Sequence, residues 1–504
     1  MLYATQLLLV LTSLQVEEEV DRLVDHLLEE HRGALGQLVL QFLRGGIAPA
    51  RMFDFETQVA MEVRELARQL VERVLNRIEA DDPESMPHDL EHQAGGYRRL
   101  NRKTRNAHVA TLFGTIVLWR YPYRYWHRDM PEKCLFPLEL QLGLIHGATP
   151  ALAGALGRYM AEGGATQQSV LGRLRSQHGV SLGVQRLRDI TAELAEDFET
   201  LTEDAQARRI VELLKKAEQS GGRCRPVLSA GRDGVTLRDY RYGFFEHATV
   251  ATVTVYDRSG KRLGSVYLAF APELGQQRMT ERLTALLAEV LRRWEGPLPR
   301  LTYVTDAGDC ETKYYQDVLR RMRHPRTGKR LEWIRILDFY HATTRLWTIA
   351  EALFGKDDRR GHSWAVRMCR LLKKPGGPSR VLHSAGTMRA RLPKLAKSRA
   401  NEYRKACNYL CRRTRIMQYH QYDRLNLPLG SGVTEAACKT VVAQRLKLSG
   451  MRWEKKNAQT ILNLRVVLLS GIWEPLYREF LETINPPSLR TYAPSAHPDT
   501  RKAA

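Results

Sequence analysis

Hydrophobic residues recur every three to four positions through VDRLVDHLL and VAMEVRELARQLVERVLNRI, so residues 15 to about 80 predict helices. The pattern stops at the acidic, proline-containing loop DDPESMPHD. The apolar start, Leu2 to Leu14, has no basic segment ahead of it and runs into EEEVDRLVDHLLEE, so it reads as helix rather than signal peptide. From Tyr97 the texture changes. YRRLNRKTRNAHVATLFGTIVLWRYPYRYW sets a basic run before β-branched and aromatic segments split by Gly114, a short hairpin with basic flanks. Helical spacing returns from Pro137 to Glu199. There, a polar cap near Thr166, a turn at Gly179 and Ser181 ahead of a second helix bearing Arg186 and Arg188 fit a helix-turn-helix, although two ordinary packed helices fit the same spacing.

After Ser220-Gly221-Gly222 the period shifts from helix to strand. RPVLSAGRDGVTL, ATVATVTVYD and KRLGSVYLAFAPE read as three strands. The helix MTERLTALLAEVLRRW, the strand LTYVTD, the helix TKYYQDVLRRM, the strand WIRILDFYH and the helix ATTRLWTIAEALF follow. The order βββαβαβα predicts a mixed sheet covered by helices, an α/β layer architecture. His362 to His420 is helical in pattern and basic. Two further helical stretches carry VVAQRLKLSGMRW and AQTILNLRVVLLSGIWEPLYREFLETI, and the proline-rich tail from Asn485 predicts disorder.

Charge changes this picture most. The 504 residues, enough for two to four domains, hold 78 Lys plus Arg against 56 Asp plus Glu, a formal net charge of +22. Such an excess points to a polyanionic partner, nucleic acid first. No window reaches the roughly 18 to 20 apolar residues of a membrane span, and no basic amphipathic helix or lipidation signal marks a membrane surface. The expectation is a cytoplasmic, nucleoid-associated protein with seven free cysteines. Cys407 and Cys411 lack the second pair that a zinc site would need. Candidate phosphate contacts near the hairpin are Arg98, Arg99, Arg102, Lys103 and Arg105. The segment containing Lys373, Lys374, Arg412 and Arg413 is basic on a scale that repels itself unless a polyanion neutralises it.

Against this background a few acids stand out. Asp233 lies within RDG of the first strand, and Asp306 closes the fourth strand in VTDAGD. Polar residues at strand ends of an α/β sheet point into the crevice where ligands bind. Glu435, in GSGVTEAACK after a Gly-Ser-Gly turn, can supply a third carboxylate. Three carboxylates held together repel unless divalent cations neutralise them, and hard oxygen ligands suit Mg²⁺ or Mn²⁺. Two such ions about 3.5 to 4 Å apart clamp the attacking and leaving oxygens of an in-line phosphoryl displacement.

RDGV, VTDAGD, ILDFYHA and PLGSGVTEAACKTVVAQRLKLSGMRW together resemble the bacterial insertion-sequence DDE transposases of the ISKra group, which are related to Mutator-like elements. TLFGTIVLWRYPYR, FPLELQLGL and TPALAGALGRYMAE extend the resemblance upstream, so that it covers about residues 97 to 475. It implies a ribonuclease-H-like core with an all-α insertion between the second Asp and the Glu, preceded by mainly helical DNA-binding regions. The implied division is a helical region over 1–95, a basic hairpin region over 96–136 and a helix-turn-helix-like region over 137–218. The core would occupy 223–355 and 426–484, the insertion 356–425 and the tail 485–504. Asp233, Asp306 and Glu435 become the catalytic, metal-holding set, with Asp338 as the alternative second ligand. Asp338 and His341 form D-x-x-H where Mutator-like relatives have C-x-x-H, and His341 would be auxiliary. Lys439, Arg445, Lys447, Arg452 and Trp453 would contact DNA. The implied partners are double-stranded element ends and target DNA, bound by a homodimer or larger assembly. A structure-selective nuclease or resolvase, and a regulator with an inactive core, are the alternatives.

Overall fold

A computed structural model describes residues 14–93, 95–125, 134–238, 245–484 and 490–491. The chain is mixed α/β and divides into two compact units, residues 1–160, 165–194 and 477–504 in one, residues 161–164 and 195–476 in the other. The expected disordered tail lies outside the described residues, apart from Arg490–Thr491. Among the described residues no helix is long and apolar enough to cross a membrane, and all seven cysteines are free thiols.

The first unit opens with helices Leu14–Arg44 and Pro49–Leu75, tied across their interface by His31 Nδ1 and Glu62 Oε1 at 2.6 Å. The expected hairpin is present as Thr104–Thr111 paired antiparallel with Gly114–Arg120. Gly114 takes φ 138 at the turn, a conformation that favours glycine. Around it lies a sheet not foreseen from sequence, with strands Asp89–His92, Gly95–Arg99, Tyr123–Tyr125, Cys134–Leu135 and Arg490–Thr491. The helical reading of residues 1–95 therefore ends early, because DLEH and GGYRR are too short and polar to show a period. The helix pair around Gly179 is as expected. Thr166 caps Gln167–His178 through Ser169 N at 3.0 Å, and Gly179 ends it at φ 64. The next helix, Val184–Glu218, runs for 35 residues, and its residues after Leu194 belong to the second unit.

The second unit is built on a five-stranded sheet of β1 (Val227–Arg238), β2 (Phe245–Tyr256), β3 (Arg262–Phe270), β4 (Arg300–Thr305) and β5 (Trp333–Leu337). Its spatial order is β5-β4-β1-β2-β3. β2 is antiparallel to both β1 and β3, whereas β4 is parallel to β1 and β5 to β4. Strand alternation splits the core in two. Leu228, Ala230, Leu301 and Tyr303 face helix α1 (Gln277–Arg293), whose buried Met279, Leu283, Leu286, Leu287 and Val290 form one stripe. Val227, Val304 and Ile336 face the opposite way, toward α3 (Phe339–Phe354) and the helices after it. A short α2 (Asp309–Asp317) connects β4 to β5.

Between α3 and the Gly430 turn, residues form only helices: α4 (Arg359–Leu372), α5 (Gly377–Arg391), α6 (Lys397–Cys411) and α7 (Tyr419–Arg424). The chain then returns to the sheet as α8 (Gly432–Ala437), which continues into a π-helical stretch, Cys438–Ala443, and is followed by α9 (Lys455–Leu469) and by the helix Trp473–Thr483, whose residues from Tyr477 belong to the first unit.

Candidate active site

Strand register carries three aspartates toward one end of the sheet, where the charges of Asp306 and Glu435 act on Asp233. β4 pairs with β1 from Arg300 opposite Val227 to Tyr303 opposite Ala230, an offset of 73 (300 − 227). Asp306 follows Asp233 by the same 73 (306 − 233). β5 pairs with β4 at an offset of 32 (333 − 301), and Asp338 follows Asp306 by 32 (338 − 306). The Asp338 N–H donates to the Thr305 carbonyl at 2.8 Å, carrying the β4–β5 pairing past the last strand residues. Alternation places all three on the face shared by Val227, Val304 and Ile336. Asp306 and Asp338 lie just past the carboxyl ends of β4 and β5, where open α/β sheets bind ligands.

Glu435 reaches the same face through close packing of α8 on the sheet. A Cβ on Gly231, two residues before Asp233, would overlap Thr434 Oγ1. With glycine there, Thr434 Oγ1 sits 2.8 Å from Thr252 Oγ1 of β2 and pins α8. Ser431 Oγ lies 2.8 Å from Asp338 Oδ2 and 2.9 Å from Glu435 Oε1, its one proton serving either carboxylate. The π-helical stretch after Glu435 leaves its carbonyls out of α-register. Buried Arg465 of α9 fills that need, its Nε donating to Thr440 O at 2.8 Å and Val441 O at 2.9 Å. Burial brings its pKa down to about 10, which leaves it charged.

Asp338 is spent on structure. Its Oδ1 accepts from His341 N at 2.7 Å and lies 3.3 Å from His341 Nδ1, and its Oδ2 accepts from both Ser431 N and Ser431 Oγ. Burial would raise its pKa, but the His341 and Ser431 donors outweigh that and hold it at about 2. The hydrogen bond to Asp338 raises the His341 pKa, with the Asp306 and Glu435 charges adding to it. Asp338, His341 and Glu435 each present one ligand-type atom within 4.8 Å of the others. A carboxylate has about four lone-pair sites, and those of Asp338 face two backbone N–H donors, the His341 ring and a Ser431 hydroxyl shared with Glu435.

Asp233 and Asp306 are in the opposite condition. Asp233 accepts from Gly234 N at 2.7 Å and from the Cys438 thiol at 3.6 Å, and Asp306 accepts from Gly308 N at 2.9 Å. Among the described residues, neither has a cationic partner. Burial pushes the Asp233 pKa up, and the negative charges of Asp306 and Glu435 push in the same direction. Cys438, raised by burial and by Asp233, stays a neutral donor. A further acid went unnoticed in the sequence. Glu311, in the first turn of α2, is buried, and burial followed by the charges of Asp306 and Asp233 raises its pKa. A Cβ on Gly308 would stand 2.5 Å from Glu311 Oε2 and 3.4 Å from Asp306 Oδ1, so both oxygens crowd that glycine. Uncompensated negative charge on hard oxygen donors is the chemistry that a divalent cation fits.

The helical insertion grips the two strand ends. Tyr409 Oη donates to the Asp306 carbonyl at 2.7 Å, Arg413 Nη2 to the Ala307 carbonyl at 2.9 Å, and Tyr419 Oη to the Leu337 carbonyl at 3.0 Å. Ala307 takes the left-handed φ of 58, uncommon for a residue with a Cβ. These bonds hold the turn that aims Asp306. The chain matches no protein-family model and no curated protein.

The basic candidates separate into engaged and exposed groups. In the first unit Arg102 and Arg105 are exposed, while Arg98 and Arg188, also exposed, are engaged with Asp89 at 3.1 Å and Gln167 at 3.2 Å. Arg99 is turned inward, donating to Met86 O at 2.8 Å, and Lys103 is held by Glu79 O and Asp81, each at 2.8 Å. Arg186 grips the His146 and His108 carbonyls, both at 2.7 Å. In the second unit Lys373, Lys374, Arg412, Lys439, Lys447 and Arg452 are exposed. Arg445 is 1% exposed and stacks over the Trp453 ring at 5.1 Å, while Arg413 serves the Ala307 turn. Arg99, Arg413 and Arg445 thus spend their guanidinium groups inside the fold, where charge counting along a sequence could not place them.

Proposed function

We propose that the chain is a DNA transposase of an insertion sequence, with Asp233, Asp306 and Glu435 as its catalytic carboxylates. The observation that carries this reading is the convergence of Asp233, Asp306 and Glu435 at one end of the sheet, where the charges of the last two raise the Asp233 pKa. The sheet, three antiparallel strands followed by two parallel ones with a helical insertion before Glu435, supports a ribonuclease-H-like core. The elevated Asp233 pKa supports a site built to receive positive charge.

The three carboxylates would hold two Mg²⁺ or Mn²⁺ ions. Bound there, the ions supply Lewis-acid charge that eases ionisation of the attacking oxygen and stabilises the leaving one. Asp338 is assigned to framing rather than to metal, because its acceptor sites are filled. His341 turns Nδ1 toward Asp338 and Glu435, and in the imidazolium form that these carboxylates favour its Nε2 would also donate to a phosphate oxygen. Cleavage would add water to phosphorus and release a 3′-hydroxyl from a 5′-phosphate. Strand transfer would add that 3′-oxygen to a target phosphate and release the target's own 3′-oxygen. Exposed Arg and Lys would position the element ends and target DNA, and joining two ends calls for two or more copies of the chain.

The deciding experiment is strand transfer from a labelled, pre-cut element end into plasmid DNA with Mg²⁺, comparing the native chain with Glu435→Gln. Joining by the native chain alone supports the assignment. DNA cleavage without joining favours a structure-selective nuclease or resolvase, and binding without either reaction favours an inactive regulator. Joining by both proteins rejects the assigned site.

A further inference from the structure

The helices Leu14–Arg44 and Pro49–Leu75 of the first unit run antiparallel, since their contacts join Glu30 to Arg73, His31 to Glu62 and Phe42 to Phe55. At about 100° per residue, Val24, Leu28, Val39 and Leu43 lie roughly a quarter turn round the first helix from that seam. Met52, Val63 and Val74 lie roughly a quarter turn round the second. In an antiparallel pair of right-handed helices both turns fall on the same flank. All of these side chains are between 37% and 70% exposed, so that flank is an open apolar face. Its length of about 30 Å and width of two helices, about 20 Å, make roughly 600 Å². That is at the upper limit for a typical monomer and near the roughly 800 Å² per partner of a standard interface.

Spacing and charge select what covers it. Val24 with Leu43, and Leu28 with Val39, share a midpoint between positions 33 and 34, and Met52 with Val74 has its midpoint at Val63. These two midpoints face each other across the seam, next to the His31–Glu62 contact. Turning the hairpin end for end therefore lays Leu28 on Val39, Val24 on Leu43, Met52 on Val74 and Val63 on itself. A surface that maps onto itself in this way is what a two-fold interface between identical chains requires. Charge agrees with the same orientation. Residues 33–53, around the tip, hold two Arg and no acid, whereas 14–32 and 54–75 hold twelve acids and five Arg. An end-for-end pair sets each basic tip against an acidic base, while a pair with tips together would oppose the acidic bases. The acidic excess of the hairpin also disfavours DNA or an anionic lipid surface as its partner.

We propose that a second copy of the chain covers this face, its hairpin lying end for end on the first to form a two-fold four-helix bundle. The proposal deepens the transposase reading, which calls for two or more copies, and rests on it only for the use made of the dimer. The interface itself forms without DNA.

The test is sedimentation velocity of the full chain, without DNA, over a micromolar concentration range. The native chain is expected to sediment as a dimer. Val39→Glu and Val63→Glu each bring a charge into the apolar interface and should weaken the dimer about tenfold or more. Leu40→Glu, at an exposed site about 100° further round the first helix, should leave it intact. All three sites are exposed, so the fold should tolerate the changes. A native monomer overturns the proposal, as does a dimer that both face variants leave intact or that Leu40→Glu breaks as readily. Oxidative cross-linking checks the orientation: Val24→Cys together with Leu43→Cys should link two copies, and Leu43→Cys alone should not. Linking through Leu43→Cys alone would put the tips together and overturn the end-for-end pairing. Strand transfer by the same preparations separates the two readings. A dimer that joins no DNA supports the interface and counts against the transposase reading, whereas joining by a native monomer keeps that reading and overturns the interface.

Discussion

At the scale of single residues, the site sets two kinds of aspartate side by side, and each has a measurable consequence. Asp233 carries a pKa raised by burial and by its acidic neighbours, so its ionised form opposes folding near neutral pH. Asp233→Asn is expected to abolish strand transfer and yet raise the thermal midpoint in EDTA by a few degrees. Mg²⁺ should raise the midpoint of the native chain more than that of the variant. A variant less stable than the native chain in EDTA would show that the carboxylates do not repel. Asp338 works in the other direction. With its folded pKa held at about 2 and an unfolded value near 3.9, it contributes stability above pH 4 and loses that contribution as the pH falls toward 2. Asp338→Asn, which leaves a donor facing donors, should cost about 1–3 kcal/mol at pH 7. Denaturation curves of the two proteins should converge as the pH drops. Parallel pH profiles would mean that Asp338 is not the latch between α3 and the Gly430 turn.

Elements explain why some of this was legible in the sequence and some was not. The βββαβαβα order could be read because the strands are long, β-branched and bounded by turn residues. Asp233 and Asp306 could be singled out as strand residues, but their meeting depends on a register that no local pattern encodes. The 73-residue offset acquires meaning only once Val227 is known to pair with Arg300. Glu311 was missed because an acid in the first turn of a helix is ordinary, and its burial comes from tertiary packing. The role of the insertion was also hidden. Its charge is visible as composition, whereas the bonds from Tyr409, Arg413 and Tyr419 to strand-end carbonyls are not. Gly231 shows the same limit. It reads as a weak point in a strand, yet its missing Cβ is what admits Thr434 and the helix of Glu435. Gly231→Ala should push α8 away from β1, costing about 1–3 kcal/mol as overpacking does. Strand transfer should fall much further than stability, because Glu435 moves with the helix. Comparing thermal midpoints and joining rates checks this, and a fully active Gly231→Ala protein would show that α8 need not lie so close.

For the whole molecule the question is what the charge of +22 does. Part of it is internal, as in Arg99, Arg413, Arg445 and Arg465, which satisfy carbonyls or aromatic faces within their own units. The remainder is concentrated on exposed positions of α4 to α6, among them Arg367, Arg370, Lys374, Lys397 and Arg404. Few acids there offset them: Asp358 pairs with Arg360 and Glu402 with Lys405. A folded domain keeps such a surface at the cost of self-repulsion, and a bound phosphate backbone relieves it. Each phosphate neutralised releases counterions, so the logarithm of affinity falls with the logarithm of salt at about 0.9 per contact. Replacing Arg370, Lys374 and Arg404 by alanine together should flatten that slope by roughly two to three. Because the three side chains are exposed, the thermal midpoint should hold or rise as repulsion is relieved. An unchanged slope would make the insertion a solvated face whose work is to hold Asp306, and the DNA path would then have to follow Lys439, Lys447 and Arg452.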